Sequence, residues 1–156
     1  MHLLLWRHAE AEDAAGNLSD HERALTDKGR RQAKRMAAWL NARLPVDTRI
    51  LVSPAVRAQQ TAAALKREFT TSAALDTSAT CASVIKMLGP CRPAGATLLV
   101  GHQPTLGEVA SFLLIGTAGN LSVRKAAVWW FTLNSSQDDV LEKRAELRAV
   151  MSPGML

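Results

Sequence analysis

Apolar positions along this chain fall into two kinds of pattern, short unbroken runs and stripes at helical spacing, and the two alternate. Leu3 to Trp6, with Met1 behind it, is an unbroken run that reads as a buried strand. From Thr26 to about Leu44, Ala33, Met36, Ala37 and Leu40 recur on one helical face, and Thr26 stands where an N-cap belongs. Arg49 to Val52 predicts a second strand. Ser53-Pro54 then pairs an N-cap residue with proline at the first helical position, so a helix is expected to about Arg67. Thr97 to Val100 predicts a third strand and Pro104 to Leu114 a helix. Ala126 to Leu133 and Arg144 to Met151 predict two more strands, the last turning Ala145, Leu147, Ala149 and Met151 to one face. Asn134 to Asp139 reads as the polar hairpin loop between them. No repeat, low-complexity tract or linker interrupts the pattern.

Strand-helix alternation of this kind predicts an α/β fold: three layers, with a mostly parallel central sheet flanked by helices and an antiparallel C-terminal strand pair. At 156 residues the chain is expected to form one domain, 1–156, burying roughly 70% of its unfolded surface. Hydrophobic content of 47% against 21% charged residues excludes a disordered chain. The apolar start is too short for a signal segment or a spanning helix, and Arg7, His8, Glu10, Glu12 and Asp13 end it, so a cytoplasmic protein is expected. Cys81 and Cys91 have no metal-ligand spacing and are expected to be free thiols.

The net charge of +5 suits a nucleic-acid, acidic-protein or phosphorylated partner. Much of it lies on Lys28, Arg31, Lys34 and Arg35, opposite the apolar stripe of the first helix, which reads as a solvated basic face. No aromatic residues interleave with these cations, so a nucleic-acid partner is not expected.

In parallel α/β sheets ligands bind beyond the carboxyl ends of the strands. Here the first strand runs into Arg7 and His8, the second into Ser53 with Arg57 in the next helical turn, and the third into Gly101-His102. Two arginines and two histidines thus converge on one sheet end. Arginine forks suit phosphate oxygens, a helix N-terminus adds its dipole, and a neutral imidazole can attack phosphorus. The competing constellation is a metal site drawn from His8, His102, Glu10 or Glu12, which the neighbouring arginines disfavour. No metal and no cofactor are expected.

Three stretches carry a resemblance. Arg7-His8-Ala9, the segment Leu51-Val52-Ser53-Pro54 through Arg57-Ala58 and Gln60-Thr61-Ala62, and Val100-Gly101-His102-Gln103-Pro104 resemble the three signatures of the histidine phosphatase superfamily. Arg23-Ala24-Leu25-Thr26 with Gly29 and Gln32-Ala33, and the closing Met151-Ser152-Pro153, are similar to the small SixA-type phosphohistidine phosphatases. One common form of the first signature has glycine where Ala9 stands. The resemblance implies that His8 is a transiently phosphorylated nucleophile, that Arg7 and Arg57 bind phosphoryl oxygens, and that His102 stabilises the transferring group. Arg23 is a candidate for the same pocket; its alternative is an ion pair with Glu10, Glu12 or Asp20.

Larger relatives that hydrolyse esters place a carboxylic acid between the second and third signatures. From Thr77 to Gly107 this chain has no aspartate or glutamate, although Asp76, Glu10 or Glu12 can fold into range. An alkoxide leaving group, with a conjugate acid near pKa 15.7, needs a proton donor; an imidazole, near about 6.5, does not. The expected function is therefore a metal-independent phosphohistidine phosphatase in signal transduction. Its partner would be a phosphohistidine-containing protein such as a histidine phosphotransfer domain, and the chain would be a monomer away from membranes. The alternatives are a general small-molecule phosphomonoesterase and a noncatalytic module binding acidic or phosphorylated partners.

Overall fold

The computed structural model describes residues 1–14, 19–89, 95–133 and 145–156. Among the described residues, six strands and four α-helices follow one another: β1 His2–Arg7, α1 Asp27–Asn41, β2 Arg49–Val52, α2 Val56–Ala63, β3 Thr70–Thr71, α3 Cys81–Leu88, β4 Ala96–Gly101, α4 Thr105–Ile115, β5 Val128–Leu133 and β6 Ala145–Met151. The strands form one sheet in the order β3-β2-β4-β1-β5-β6. The β3-β2, β2-β4 and β4-β1 pairings are parallel, and β1-β5 and β5-β6 are antiparallel. This is the three-layer α/β arrangement with an antiparallel C-terminal pair that the apolar pattern predicts.

Leu3, Leu4, Leu5 and Trp6 are fully buried because β1 lies mid-sheet and both of its faces are covered. Leu4 and Trp6 pack with Met36, Leu40, Val52, Leu98 and Val100 under α1 and α2, while Leu3 and Leu5 pack with Leu99, Leu106, Val109 and Phe131 under α3 and α4. Thr26 caps α1 as predicted, its hydroxyl accepting from the Gly29 amide at 2.9 Å.

Several boundaries differ from the sequence expectation. Helix α1 stops at Asn41, since Arg43 and Leu44 both donate to the Leu40 carbonyl and Pro45 follows. Helix α2 begins at Val56, with Ala55 as N-cap, and ends at Ala63, where the chain turns through Lys66 at φ 55°. Ser53 does not cap it: its hydroxyl bonds to a histidine, described below. Helix α3 was not expected from the sequence; Thr80 and Ser83 cap it by exchanging side-chain and backbone bonds at 3.1–3.2 Å. Strand β6 does not keep one face. Trp130 pairs Ala149 and Phe131 pairs Leu147, so Arg148 is an extra residue that reverses the facing. Ala145 joins the α3-α4 side, Ala149 and Met151 the α1-α2 side, and Leu147 is exposed. The expected hairpin loop 134–139 and Cys91 lie outside the described residues.

Candidate active site

The parallel pairing of β1, β2 and β4 brings their carboxyl ends side by side, and each ends one residue before a polar side chain of the candidate site: His8, Ser53 and His102. Backbone bonds lock the three exits together, His8 N–H to the Gly101 carbonyl and Ser53 N–H to the Val100 carbonyl, both 3.0 Å. A cleft of about 290 Å³ opens there, and Arg7, His8, Arg23, Arg57 and His102 all line it, with Asp13, Asp20, Thr77, Gln103 and Lys125 at its walls and mouth. The structure thus brings together all five residues singled out in the sequence.

His8 is buried, and its Nδ1 lies 2.7 Å from the Ala9 carbonyl oxygen. A carbonyl only accepts, so Nδ1 carries the proton and Nε2 keeps its lone pair. Arg57 Nε–H donates to that Nε2 at 3.3 Å, consistent with the same assignment. Burial, aided by the charges of His102, Arg57 and Arg7 and opposed by the Ala9 carbonyl, pushes the His8 pKa down to about 3. The ring is neutral at physiological pH, with its free nitrogen turned to a guanidinium.

The rings of His8 and His102 lie 5.1 Å apart. His102 Nε2 sits 2.7 Å from the Ser53 hydroxyl oxygen, which also accepts the Ala55 N–H at 3.2 Å. That network is satisfied when Ser53 donates to Nε2, which assigns the proton of His102 to Nδ1. Burial and the Arg57 charge push the His102 pKa down to about 4, so this ring is also neutral.

Arg57 is almost wholly buried, and Arg7 anchors to the Val123 carbonyl through Nη1 at 2.8 Å. Among the described residues, the buried side-chain nitrogens without a partner include Arg7 Nε and His102 Nδ1, both on residues of the cleft. Buried unsatisfied groups are rare enough to need a reason, and two of them beside a neutral imidazole suit an incoming oxyanion.

Arg23 faces the cleft and makes an ion pair with Asp20, at 2.8 Å and 3.0 Å, and donates to the Glu12 carbonyl at 2.8 Å. Of the three carboxylates offered for it, Asp20 is the one engaged. Asp20 also binds Arg57 Nη2 at 2.7 Å, and the hydrogen bonds from Arg57 and Arg23 hold its carboxyl down to about 2. Glu10, a candidate metal ligand, is turned to Lys28 at 3.0 Å and Thr26 at 3.2 Å. At Asp76 burial works upward, but the His21 ring and the Thr77 amide outweigh it and hold the carboxyl below its ordinary value.

Sequence reasoning missed Asp20 as a partner of Arg57 and assigned Ser53 to a cap. No local pattern reports either contact, since the partners are 37 and 49 residues away. The basic face of α1 is as expected: Lys28, Arg31, Lys34 and Arg35 are exposed. Among the described residues, no helix is long and apolar enough to cross a membrane.

Residues 3–79 match the histidine phosphatase superfamily, branch 1. A Haemophilus influenzae protein named as a phosphohistidine phosphatase SixA homolog is 30% identical over 160 residues, covering 93% of this chain and 96% of its own. An uncharacterized Picosynechococcus protein is 34% identical over 144 residues, 82% of either chain. The fold superposes on a SixA structure from Nakamurella multipartitia with a TM-score of 0.82 and 26% identity, over 97% of this chain and 95% of that one. A SixA structure complexed with tungstate shares the fold at a TM-score of 0.82 and 24% identity, over 99% of both chains. With the three strand-end signatures gathered into one cleft and relatives matching along most of its length, this chain belongs to the histidine phosphatase superfamily, is of the SixA type, and is a phosphatase.

Proposed function

We propose that the protein removes the phosphoryl group from phosphohistidine in other proteins, without a metal, through a covalent intermediate on His8. The observation that carries this reading is the neutral His8 ring, with Nδ1 tied to Ala9 and the Nε2 lone pair turned to Arg57, in a cleft where the carboxylate paired with Arg57 is held ionised. His8 Nε2 attacks phosphorus, a new P–N bond forms, and the substrate's P–N bond breaks. The departing imidazole takes its proton from solvent. Water then attacks the phosphoryl group, the bond to Nε2 breaks, and orthophosphate leaves with His8 neutral again. The Ala9 carbonyl stabilises the positive charge that the ring gains while phosphorylated. Arg7, Arg57 and His102 bind the three oxygens, and their donors replace water in a partly enclosed site.

The choice of leaving group follows from proton supply. Asp20 is ionised between two guanidiniums, Asp76 is engaged by His21 and Thr77, and Asp13 is exposed at the mouth. Asp20 and Asp76 are both held below the ordinary carboxylate value, the opposite of the raised pKa that protonation of an alkoxide would require. An imidazole leaves without one. The open mouth and the SixA-named relatives support a protein-borne substrate, and the partner we favour is a small histidine phosphotransfer domain in a cytoplasmic signalling chain.

The test compares phosphate release from a phosphohistidine protein, an aryl phosphate and an alkyl phosphate, in wild type, His8→Ala and His102→Ala, with and without a strong chelator. Phosphohistidine should be consumed fastest and alkyl ester slowest, and the chelator should change nothing. His8→Ala should lose several powers of ten, as when a covalent route is removed. His102→Ala should lose about a hundred- to a thousandfold, the usual cost of one oxyanion donor. Equal rates for alkyl ester and phosphohistidine, or an acid-labile phosphoryl adduct mapped to another side chain, would refute the mechanism.

A further inference from the structure

Of the charged cleft groups that the proposed chemistry does not use, the carboxylate of Asp20 is the one bonded to Arg57. Arg57 donates through Nε to His8 Nε2 and through Nη2 to Asp20 Oδ2, at 3.3 Å and 2.7 Å, and its Nη1 donates to the Asp20 carbonyl. Nε and Nη2 form the edge of a guanidinium that forks onto two phosphate oxygens. Here the nucleophile holds one end of that edge and Asp20 the other. A phosphoryl group reaching His8 Nε2 must take both places, and in doing so it also frees the lone pair that Arg57 masks.

Asp20 opens the 3-10 turn Asp20–Glu22, and the next residue ties that turn to the opposite wall. His21 Nε2 lies 2.6 Å from Asp76 Oδ1, and Asp76 precedes Thr77, which lines the cleft. The turn therefore bridges the mouth, from Arg57 on α2 to the segment before α3. Its anchors differ in burial: the Arg57 side chain is 4% exposed and that of Asp20 51%. A fixed buried cation thus faces an anion that can swing into solvent.

We propose that Asp20 is a built-in counter-anion that determines specificity: it holds Arg57 until a phosphoryl dianion displaces it. This rests on the phosphoryl reading of the cleft. A phosphoryl group carries up to two negative charges and three acceptor oxygens, against one charge on the carboxylate. It can also satisfy Arg7 Nε and His102 Nδ1, which Asp20 leaves unpartnered. Monoanions gain too little to open the turn, and orthophosphate leaves readily because Asp20 returns to Arg57. A protein-borne phosphoryl group brings its own surface to the mouth as the turn moves aside.

Calorimetric titration of inorganic phosphate and of tungstate into wild type, Asp20→Asn and His21→Ala, at one pH and ionic strength, tests this. Asp20→Asn keeps the shape and removes the charge, so phosphate should bind tighter by about tenfold or more, the scale of one hydrogen bond to a charged group. His21→Ala cuts the tie to Asp76 without touching Arg57 and should tighten binding in the same direction, by less. Unchanged or weakened phosphate binding in Asp20→Asn would overturn the proposal and make Asp20 a support for Arg57. Failure of both oxyanions to bind wild type and Asp20→Asn would remove the phosphoryl reading together with it. Tightened binding in an enzyme that does not turn over phosphohistidine would uphold the role of Asp20 and remove the substrate assignment alone.

Discussion

The Ser53 hydroxyl, one residue past β2, lies 2.7 Å from Nε2 of His102, one residue past β4, and both side chains are buried. Two adjacent parallel strands thus present a hydroxyl and an imidazole to each other at their common end. The contact fixes both the orientation of the His102 ring and which nitrogen carries its proton.

Ser53→Ala removes that support and leaves His102 free to rotate or to change tautomer. The expected result is a fall in kcat of about tenfold to a hundredfold, the scale of a slightly misplaced catalytic group, with little change in substrate KM. Ser53→Thr, which keeps the hydroxyl, should recover part of it. Steady-state kinetics of the two variants check this, and a Ser53→Ala enzyme with unaltered kcat would show that His102 needs no such support.

Stability should fall with acidity sooner than carboxylates alone would cause. His8 and His102 have folded pKa values of about 3 and about 4, below the unfolded value near about 6.5. Between those limits the unfolded chain binds protons that the folded one refuses, so stability is full above about pH 6.5 and declines as pH falls toward 4. At pH 5 the loss is on the order of 1–2 kcal/mol for each ring. Asp20 acts in the same direction, but only below about pH 4, through its folded value of about 2. Denaturant melts at pH 7 and pH 5 measure the difference, and a His8→Asn, His102→Asn double variant should flatten it. A slope that survives in the double variant would place the effect elsewhere.

Gly29 should be the glycine of α1 that cannot be replaced. A Cβ there would lie 1.9 Å from the Glu10 carbonyl oxygen, which also accepts the Thr26 amide at 3.1 Å. Gly29→Ala must push the first turn of α1 away from the segment that follows His8. The expected cost is about 1–3 kcal/mol, typical of overpacking, with a loss of kcat/KM because Glu10 is two residues from His8. Thermal melting together with kinetics tests it; an alanine variant as stable and active as wild type would refute the close approach.

What the sequence by itself determined is whatever local periodicity and strand polarity can express. An apolar run as long as Leu3–Trp6 must be buried on both faces, and alternation with helices makes the neighbouring strands parallel. Parallel strands put Arg7, His8, Ser53 and His102 at one end of the sheet wherever each strand begins. The Thr26 cap was equally legible, because a cap and its amide are three residues apart. Tertiary structure alone decided the rest, since those contacts join distant elements whose relative placement depends on how helices pack on the sheet. Ser53 turned from a cap to His102, Asp20 reached Arg57 and Arg23, and His21 reached Asp76 across 55 residues. The extra residue in β6 belongs here too: Ala145, Leu147, Ala149 and Met151 alternate in sequence, but one bulge at Arg148 turns the strand over. Period-two patterns assume unbroken register, and only the pairing with β5 reveals where register slips.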